Sequence, residues 1–204
     1  FVGKKLIKRL LKEGHEVTSI DNYSTGLKTN HQEGCHYKEA NIYDFDWRGE
    51  FYDIVFHMAA IARIQPSFKN PIEYFNTNAN GTMQLAEHCA KNNIPIIYAG
   101  SSSHHSGKYK NPYTFAKWVG EELCKMYSKV YDVPTIITRF YNVYGDHMIP
   151  GDTAYSTVIQ IFNEQDKEKE SLTITGDGEQ RREFTHVLDI CYALLSCKDH
   201  TELK

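Results

Sequence analysis

A tyrosine and a lysine four residues apart, Tyr113 and Lys117, follow a run of three hydroxyls, Ser101-Ser102-Ser103. On a helix, residues four apart share one face, one turn from each other. An ammonium so placed favours the ionised form of the phenol. A free tyrosine titrates near pH 10, so service as a base at neutral pH needs roughly 3 units of help, about 4 kcal/mol. One lysine seldom supplies that much, and a bound cationic cofactor would supply the rest. The spacing also occurs by chance in many helices, so the elements around it must decide.

Bulk composition excludes several classes. With 204 residues, 41% of them hydrophobic and 24% charged, the chain fits a globular domain or a domain and part of another. A net charge of −3 argues against a nucleic-acid surface, which needs a basic stripe. Phosphate can still be held locally by backbone amides and an arginine. No apolar run approaches the roughly 18 residues of a membrane span. The five cysteines, Cys35, Cys89, Cys124, Cys191 and Cys197, are scattered and form no CxxC pair. They read as reduced core thiols of a cytoplasmic protein, with no metal site.

Taken in order, the chain opens with Phe1-Val2-Gly3 and an amphipathic helix from Lys4 to Glu13, ended by Gly14. Residues 16–21 read as a buried strand finishing in Asp21. Helix, then strand, then acid is the second half of a dinucleotide-binding βαβ unit, in which the acid takes the ribose hydroxyls. The chain is thus expected to begin inside the phosphate loop and to extend at both ends. Asn22 to Gly26 is turn-rich. Further strands are expected over 37–42, 51–57, 94–100 and 134–140, with small residues Ala59-Ala60 after the second of these. Small residues there let a flat ligand approach the backbone. His57 reads as a core histidine, and His104 and His105 as solvated loop residues. Helices are expected over 71–92, with Asn78 and Asn80 as poor helix formers inside it, and over 113–130. Alternation of strand and helix argues for a parallel sheet covered on both faces. After Tyr144-Gly145 the pattern loosens. A helix over 157–162, a solvated charged run over 164–170, a short strand over 172–175 and a helix over 187–196 complete the reading.

Together these stretches resemble the extended short-chain dehydrogenase/reductase family, in its nucleotide-sugar epimerase/dehydratase branch, of the UDP-glucose 4-epimerase type. The resemblance rests on Phe1-Val2-Gly3, the 21–26 and 56–60 segments, and Asn78-Ala79-Asn80-Gly81-Thr82. It continues through the serine run, Tyr113 to Lys117, Arg139 to Gly145, and Gly176 to Phe184. It implies an α/β, Rossmann-like doubly wound parallel sheet over 1–145, lacking its first strand, and a small partial substrate-binding region over 146–204. It also implies NAD as cofactor, a UDP-sugar as substrate and a homodimer.

Residue by residue, the resemblance places Gly3 in the pyrophosphate loop, and Asp21, Asn22, Ser24 and Gly26 around the adenosine ribose. An acid there repels a 2′-phosphate, favouring NAD over NADP. Asn41-Ile42 stands where the family often has Asp-Ile beside adenine. Met58, Ala59, Ala60, Asn78 and Tyr141 would line the cofactor. Lys117 would bind the nicotinamide ribose and lower the pKa of Tyr113, which also faces the cofactor. Asn142 and Arg182 would hold the sugar nucleotide. Ser101 and Ser102 would meet the reacting hydroxyl; counting from the strand selects Ser101, counting back from Gly107 selects Ser102, and Ser102 is favoured as catalytic with Tyr113 and Lys117. The family's dehydratases carry an Asp-Glu pair after the serine run, and its decarboxylases a Glu. No acid lies between Ser101 and Tyr113, so epimerisation is the expected reaction. A dehydratase, a reductase and a catalytically silent relative are the alternatives.

Overall fold

A computed structural model describes residues 1–146, 148, 157–198 and 200. Helix α1 (Val2–Lys12) leads into β1 (Val17–Asp21), which pairs in parallel with β2 (Cys35–Glu39). Strand β3 (Val55–His57) pairs with β4 (Ile96–Ser101), and β4 with β5 (Thr135–Phe140), again in parallel. Between β3 and β4 run α2 (Ile64–Lys69), α3 (Pro71–Phe75) and α4 (Gly81–Asn92); α5 (Pro112–Tyr131) joins β4 to β5. A third parallel pair, β6 (Val143–Tyr144) with β7 (Thr185–His186), is followed by α7 (Val187–Lys198), and α6 (Val158–Lys167) lies between its strands.

Alternation along β4 shows why both faces are covered. Ile96 and Tyr98 pack into one core with Leu85, Ala86 and Cys89 of α4 and with Cys124 and Tyr127 of α5. Ile97 points the other way, into a core with Leu6 and Leu10 of α1 and Ile190, Cys191 and Leu194 of α7. Successive strand side chains face opposite sides, and both sides here are apolar, as a parallel sheet requires. The doubly wound architecture expected from the sequence is therefore present. Cys89 and Cys124 are fully buried, and burial pushes both thiols up to about 12. No helix among the described residues is long and apolar enough to cross a membrane, and no group of metal-ligating side chains is found among them.

Several expected elements differ. The 71–92 helix is interrupted by a π turn at Asn76–Asn80. Three asparagines and a threonine compete poorly for the regular ladder, and the wider turn directs Asn78 inward. The strand expected over 51–57 shortens to its last three residues, and that expected over 37–42 lies at Cys35–Glu39. The strand expected over 172–175 does not form: Leu172 and Ile174 are exposed, and no strand pairs with them among the described residues. Without a partner, alternating residues gain nothing from an extended ladder. Helix α2 gave no clear signal in the sequence, with Pro66 in its third position.

One contact makes the α5 packing sensitive. A β-carbon on Gly120 would lie 2.4 Å from the Tyr98 hydroxyl and 2.8 Å from the Asn78 carbonyl oxygen. Neither can retreat, because both are buried in this layer. Gly120→Ala is expected to cost about 1–3 kcal/mol by overpacking, measured by thermal or urea denaturation.

Candidate active site

The candidate residues gather where the parallel strands end. Asn111 starts α5: its side-chain oxygen accepts the Thr114 N–H at 2.8 Å, and Pro112 occupies the first turn. Tyr113 is thereby fixed at the helix entrance, beside the end of β4. Its hydroxyl donates to Ser101 Oγ at 3.2 Å. The same oxygen accepts the Ser103 N–H at 3.2 Å and the Ser103 hydroxyl at 2.9 Å. The structure thus brings Ser101 to Tyr113, and not Ser102, which turns into the short 3₁₀ segment Ser102–Ser106. Chain direction explains the difference: Ser101 is the last strand residue and caps that segment.

Lys117 lies one turn further on, 6% exposed. Its ammonium stands over the Tyr98 ring, 4.3 Å from the centroid, and makes no ion pair among the described residues. Burial pulls its pKa down to about 8, with Cys124 and Glu121 opposing. The expectation that Lys117 lowers Tyr113 is not met in this arrangement. Burial pushes Tyr113 up, and the groups that pull it down are the Ser101 hydrogen bond and the Arg63 guanidinium.

Glu121, a further turn along, completes a Tyr-Lys-Glu series at steps of four. It is 2% exposed, bonds Arg139 Nη2 on β5, and lies 3.1 Å from Lys125 Nζ and 3.6 Å from His104 Nδ1. Burial pushes its carboxyl up, but Arg139 and Lys125 outweigh this and hold it below the ordinary range. His104 is therefore docked against a buried carboxylate and is not a solvated loop residue. His105 is exposed and stacks at 6.5 Å on Tyr141. His57 is buried, bonds Thr82 at 2.8 Å, and is pushed down to about 3 chiefly by desolvation, with Lys117 adding to the effect. It is a neutral core histidine.

At the end of β1, Asp21 accepts the Tyr23 N–H at 2.8 Å and Asn22 the Ser24 N–H at 3.0 Å. That bond fixes the Asn22 amide, which donates to Asn41 Oδ1 at 2.6 Å. Gly26 closes the turn: a β-carbon there would stand 3.8 Å from both Asp21 oxygens. Asp21, Asn22, Ser24, Gly26 and Asn41 therefore form one cluster. Gly3 lies in the first turn of α1, with open space beside it. Ile42 is turned into the core under Gly81 and leaves only its backbone for a ligand.

Met58, Ala59 and Ala60 follow β3 as expected. Asn78 does not reach out to a cofactor: it is fully buried, and its amide accepts the Ile61 N–H at 2.8 Å and donates to the Ile61 carbonyl at 2.9 Å. It holds the wall in place from behind. Tyr141 and Asn142 follow β5, and Asn142 donates to the Glu183 carbonyl at 2.8 Å, which brings the Arg182 segment alongside. Arg182 itself is exposed and bonds Arg181 and Gln180. Sequence reasoning missed Arg63, Glu121 and His104. Only Glu121 carried a usable signal, its i+4 step from Lys117.

A dinucleotide fits these residues. A buried ammonium without a carboxylate partner calls for acceptor oxygens, which ribose hydroxyls provide, and Asp21 offers an acceptor at the carboxyl end of β1. Such ligands lie across the carboxyl edge of a parallel sheet.

Comparison with known proteins agrees. A putative UDP-glucose 4-epimerase of Methanocaldococcus jannaschii is 32% identical, over 96% of this chain and 69% of its own length. A UDP-N-acetyl-alpha-D-glucosaminuronate decarboxylase of Bacillus cytotoxicus is 29% identical, over 98% of this chain and 68% of its own. The crystal structure of UDP-glucose 4-epimerase from Thermotoga maritima with UDP-glucose superposes with a TM-score of 0.90 at 26% identity, covering 97% of this chain and 70% of that one. With its parallel sheet, its Ser101–Tyr113 contact and a family model matched over residues 1–203, the chain belongs to the NAD dependent epimerase/dehydratase family.

Proposed function

We propose that the protein catalyses epimerisation of a nucleotide sugar, with a UDP-sugar as the favoured substrate, through a transient 4-keto intermediate. The observation that carries this reading is the Tyr113 hydroxyl held at 3.2 Å from Ser101 Oγ at the mouth of β4. NAD, when bound, supplies the hydride acceptor and a positively charged ring. Gly3, Asp21, Asn22, Ser24, Gly26, Asn41 and the backbone of 58–60 would hold it, with Lys117 donating to a ribose hydroxyl. Tyr113 removes the proton from the sugar hydroxyl as a general base. Ser101, whose Oγ lies 3.2 Å from the Tyr113 hydroxyl, meets the same oxygen with its own hydroxyl hydrogen. Tyr141 and Asn142 flank the sugar, and Arg182 supplies a charge-assisted donor for the diphosphate. Reduction on the opposite face restores the hydroxyl with inverted configuration, and Tyr113 returns the proton.

One of the relatives is named as a decarboxylase. The absence of any acid between Ser101 and Tyr113 favours epimerisation over elimination or decarboxylation. Pairing of two copies through α4 and α5 belongs to the same reading. Met83, Met126 and Val130 are exposed on these helices.

Incubating full-length protein with NAD and a panel of UDP-, GDP- and dTDP-sugars tests the reaction. An epimer without net NADH is the expected product; a 4-keto-6-deoxy sugar would replace the reading with dehydration. Tyr113→Phe is expected to lose at least about 100-fold in kcat while keeping NAD affinity. The affinity for NAD is expected to weaken as pH rises through about 8, because the Lys117 ammonium is present below that value and lost above it. Lys117→Met should bind more weakly and lack this pH dependence, as read by NAD titration calorimetry.

A further inference from the structure

We infer that Glu121 is a positioning residue for the proton transfer, which rests on the reading of Tyr113 as the proton-transfer group. From the back of α5 its buried carboxylate ties the ends of β4 and β5 to the helix that carries Tyr113 and Lys117.

The two carboxylate oxygens address different elements. Oε1 accepts from Nη2 of Arg139 on β5 and lies 3.1 Å from Lys125 Nζ on its own helix. Oε2 faces Nδ1 of His104 at 3.6 Å, in the 3₁₀ segment that Ser101 caps. In the β4–β5 register Arg139 stands across from Gly100, and Phe140 across from Ser101. A β-carbon on Gly100 would meet Arg139 Cγ at 3.4 Å, so the arginine stem lies against the strand just before Ser101. Two residues beyond Arg139 comes Tyr141, on whose ring His105 stacks. The segments that carry Ser101 and Tyr141 are therefore both held by one side chain, about two turns along α5 from Tyr113.

Stability alone accounts poorly for this cluster. Taking a carboxylate out of water is expensive, and the cost is recovered only where the remaining polar atoms are well bonded. Glu121 is 2% exposed, yet Arg139 Nε and His104 Nδ1 are buried with no hydrogen-bond partner among the described residues. Apolar side chains of similar volume often fill such a place without loss of stability. What they lack is direction: a charge-assisted hydrogen bond has a preferred geometry, and apolar contact has none. The space that Glu121 and His104 share with Ser101, Ser103 and Lys117 has no room for a water molecule, so solvent does not compete there. Direction matters at this point because the Tyr113–Ser101 contact, at 3.2 Å, is already long for a bond between hydroxyls. A further misplacement of about 1 Å between reacting groups costs up to about 100-fold in rate.

The test uses full-length protein with NAD and a UDP-sugar, with kcat counted per bound NAD so that unfolded protein drops out. Glu121→Gln and His104→Ala are each expected to lose about 10-fold or more in kcat, with KM for the sugar nucleotide and NAD affinity little changed. The solvent deuterium isotope effect on kcat should rise in both, because a misplaced proton transfer becomes the slow step. Added imidazole should restore part of the His104→Ala activity. Glu121→Met combined with Arg139→Met separates position from stability: Tm should stay within a few degrees of wild type, while kcat falls as in Glu121→Gln. An unchanged kcat per bound NAD in Glu121→Gln or in His104→Ala overturns the inference. So does a loss confined to KM, or a double variant that no longer folds, which would make the cluster a structural one. If Tyr113→Phe turns over like wild type, the proton-transfer reading itself falls, whatever the Glu121 variants do.

Discussion

The Asn78 side-chain amide and the Ile61 backbone exchange two hydrogen bonds in a site closed to water. Much of the functional edge depends on that exchange. A buried amide left unpaired costs more than the bond contributes when made, so Asn78 is committed to Ile61 and Ile61 to Asn78. The π turn at Asn76–Asn80 exists in a form that aims the amide inward, and Thr82, one turn on, bonds the Asn78 carbonyl and His57. The segment after β3 is thus tied to the helix layer from behind. Its front is left as small side chains and open backbone toward the sheet's carboxyl edge.

Charge is distributed on α5 by the same logic of confinement. Three residues at steps of four point into the protein, and each meets a different answer to burial. Tyr113 is met by a hydroxyl, Lys117 by the face of an aromatic ring, and Glu121 by the Arg139 guanidinium and Lys125. Of the two charged residues, Lys117 alone lacks an oppositely charged partner among the described residues. That asymmetry is what a ligand with acceptor oxygens can use: pairing Lys117 internally would have filled the place where such a ligand contributes most.

How much of this was legible in the sequence depends on the range of the interactions. Tyr113, Lys117 and the serine run were visible because local rules place them: a capped helix start, a four-residue step, a strand end. Asp21 and the turn after it, Asn22 to Gly26, were visible for the same reason, whereas Asn41, 19 residues from Asn22, entered only through the family resemblance. The role of Asn78 was not, because its partner is 17 residues away and only the fold brings them together. The choice between Ser101 and Ser102 turned on one residue of strand register, which pattern reading does not resolve. The direction of Lys117 was set by Tyr98 on another element. The strand over 172–175 failed for a complementary reason: alternation describes a residue's readiness to pair, and pairing needs a second strand.

The buried thiols give the same architecture a kinetic meaning. Cys89 on α4 and Cys124 on α5 are both fully covered, and both sulfurs are held as thiols far above neutral pH. Alkylating and disulfide reagents attack thiolates, so neither sulfur reacts while the layer is closed. Modification there would have to wait for α4 and α5 to part, at a rate set by how often the layer opens. The helix that carries Tyr113 and Lys117 thus has built into its back a chemical record of each excursion from the packed state.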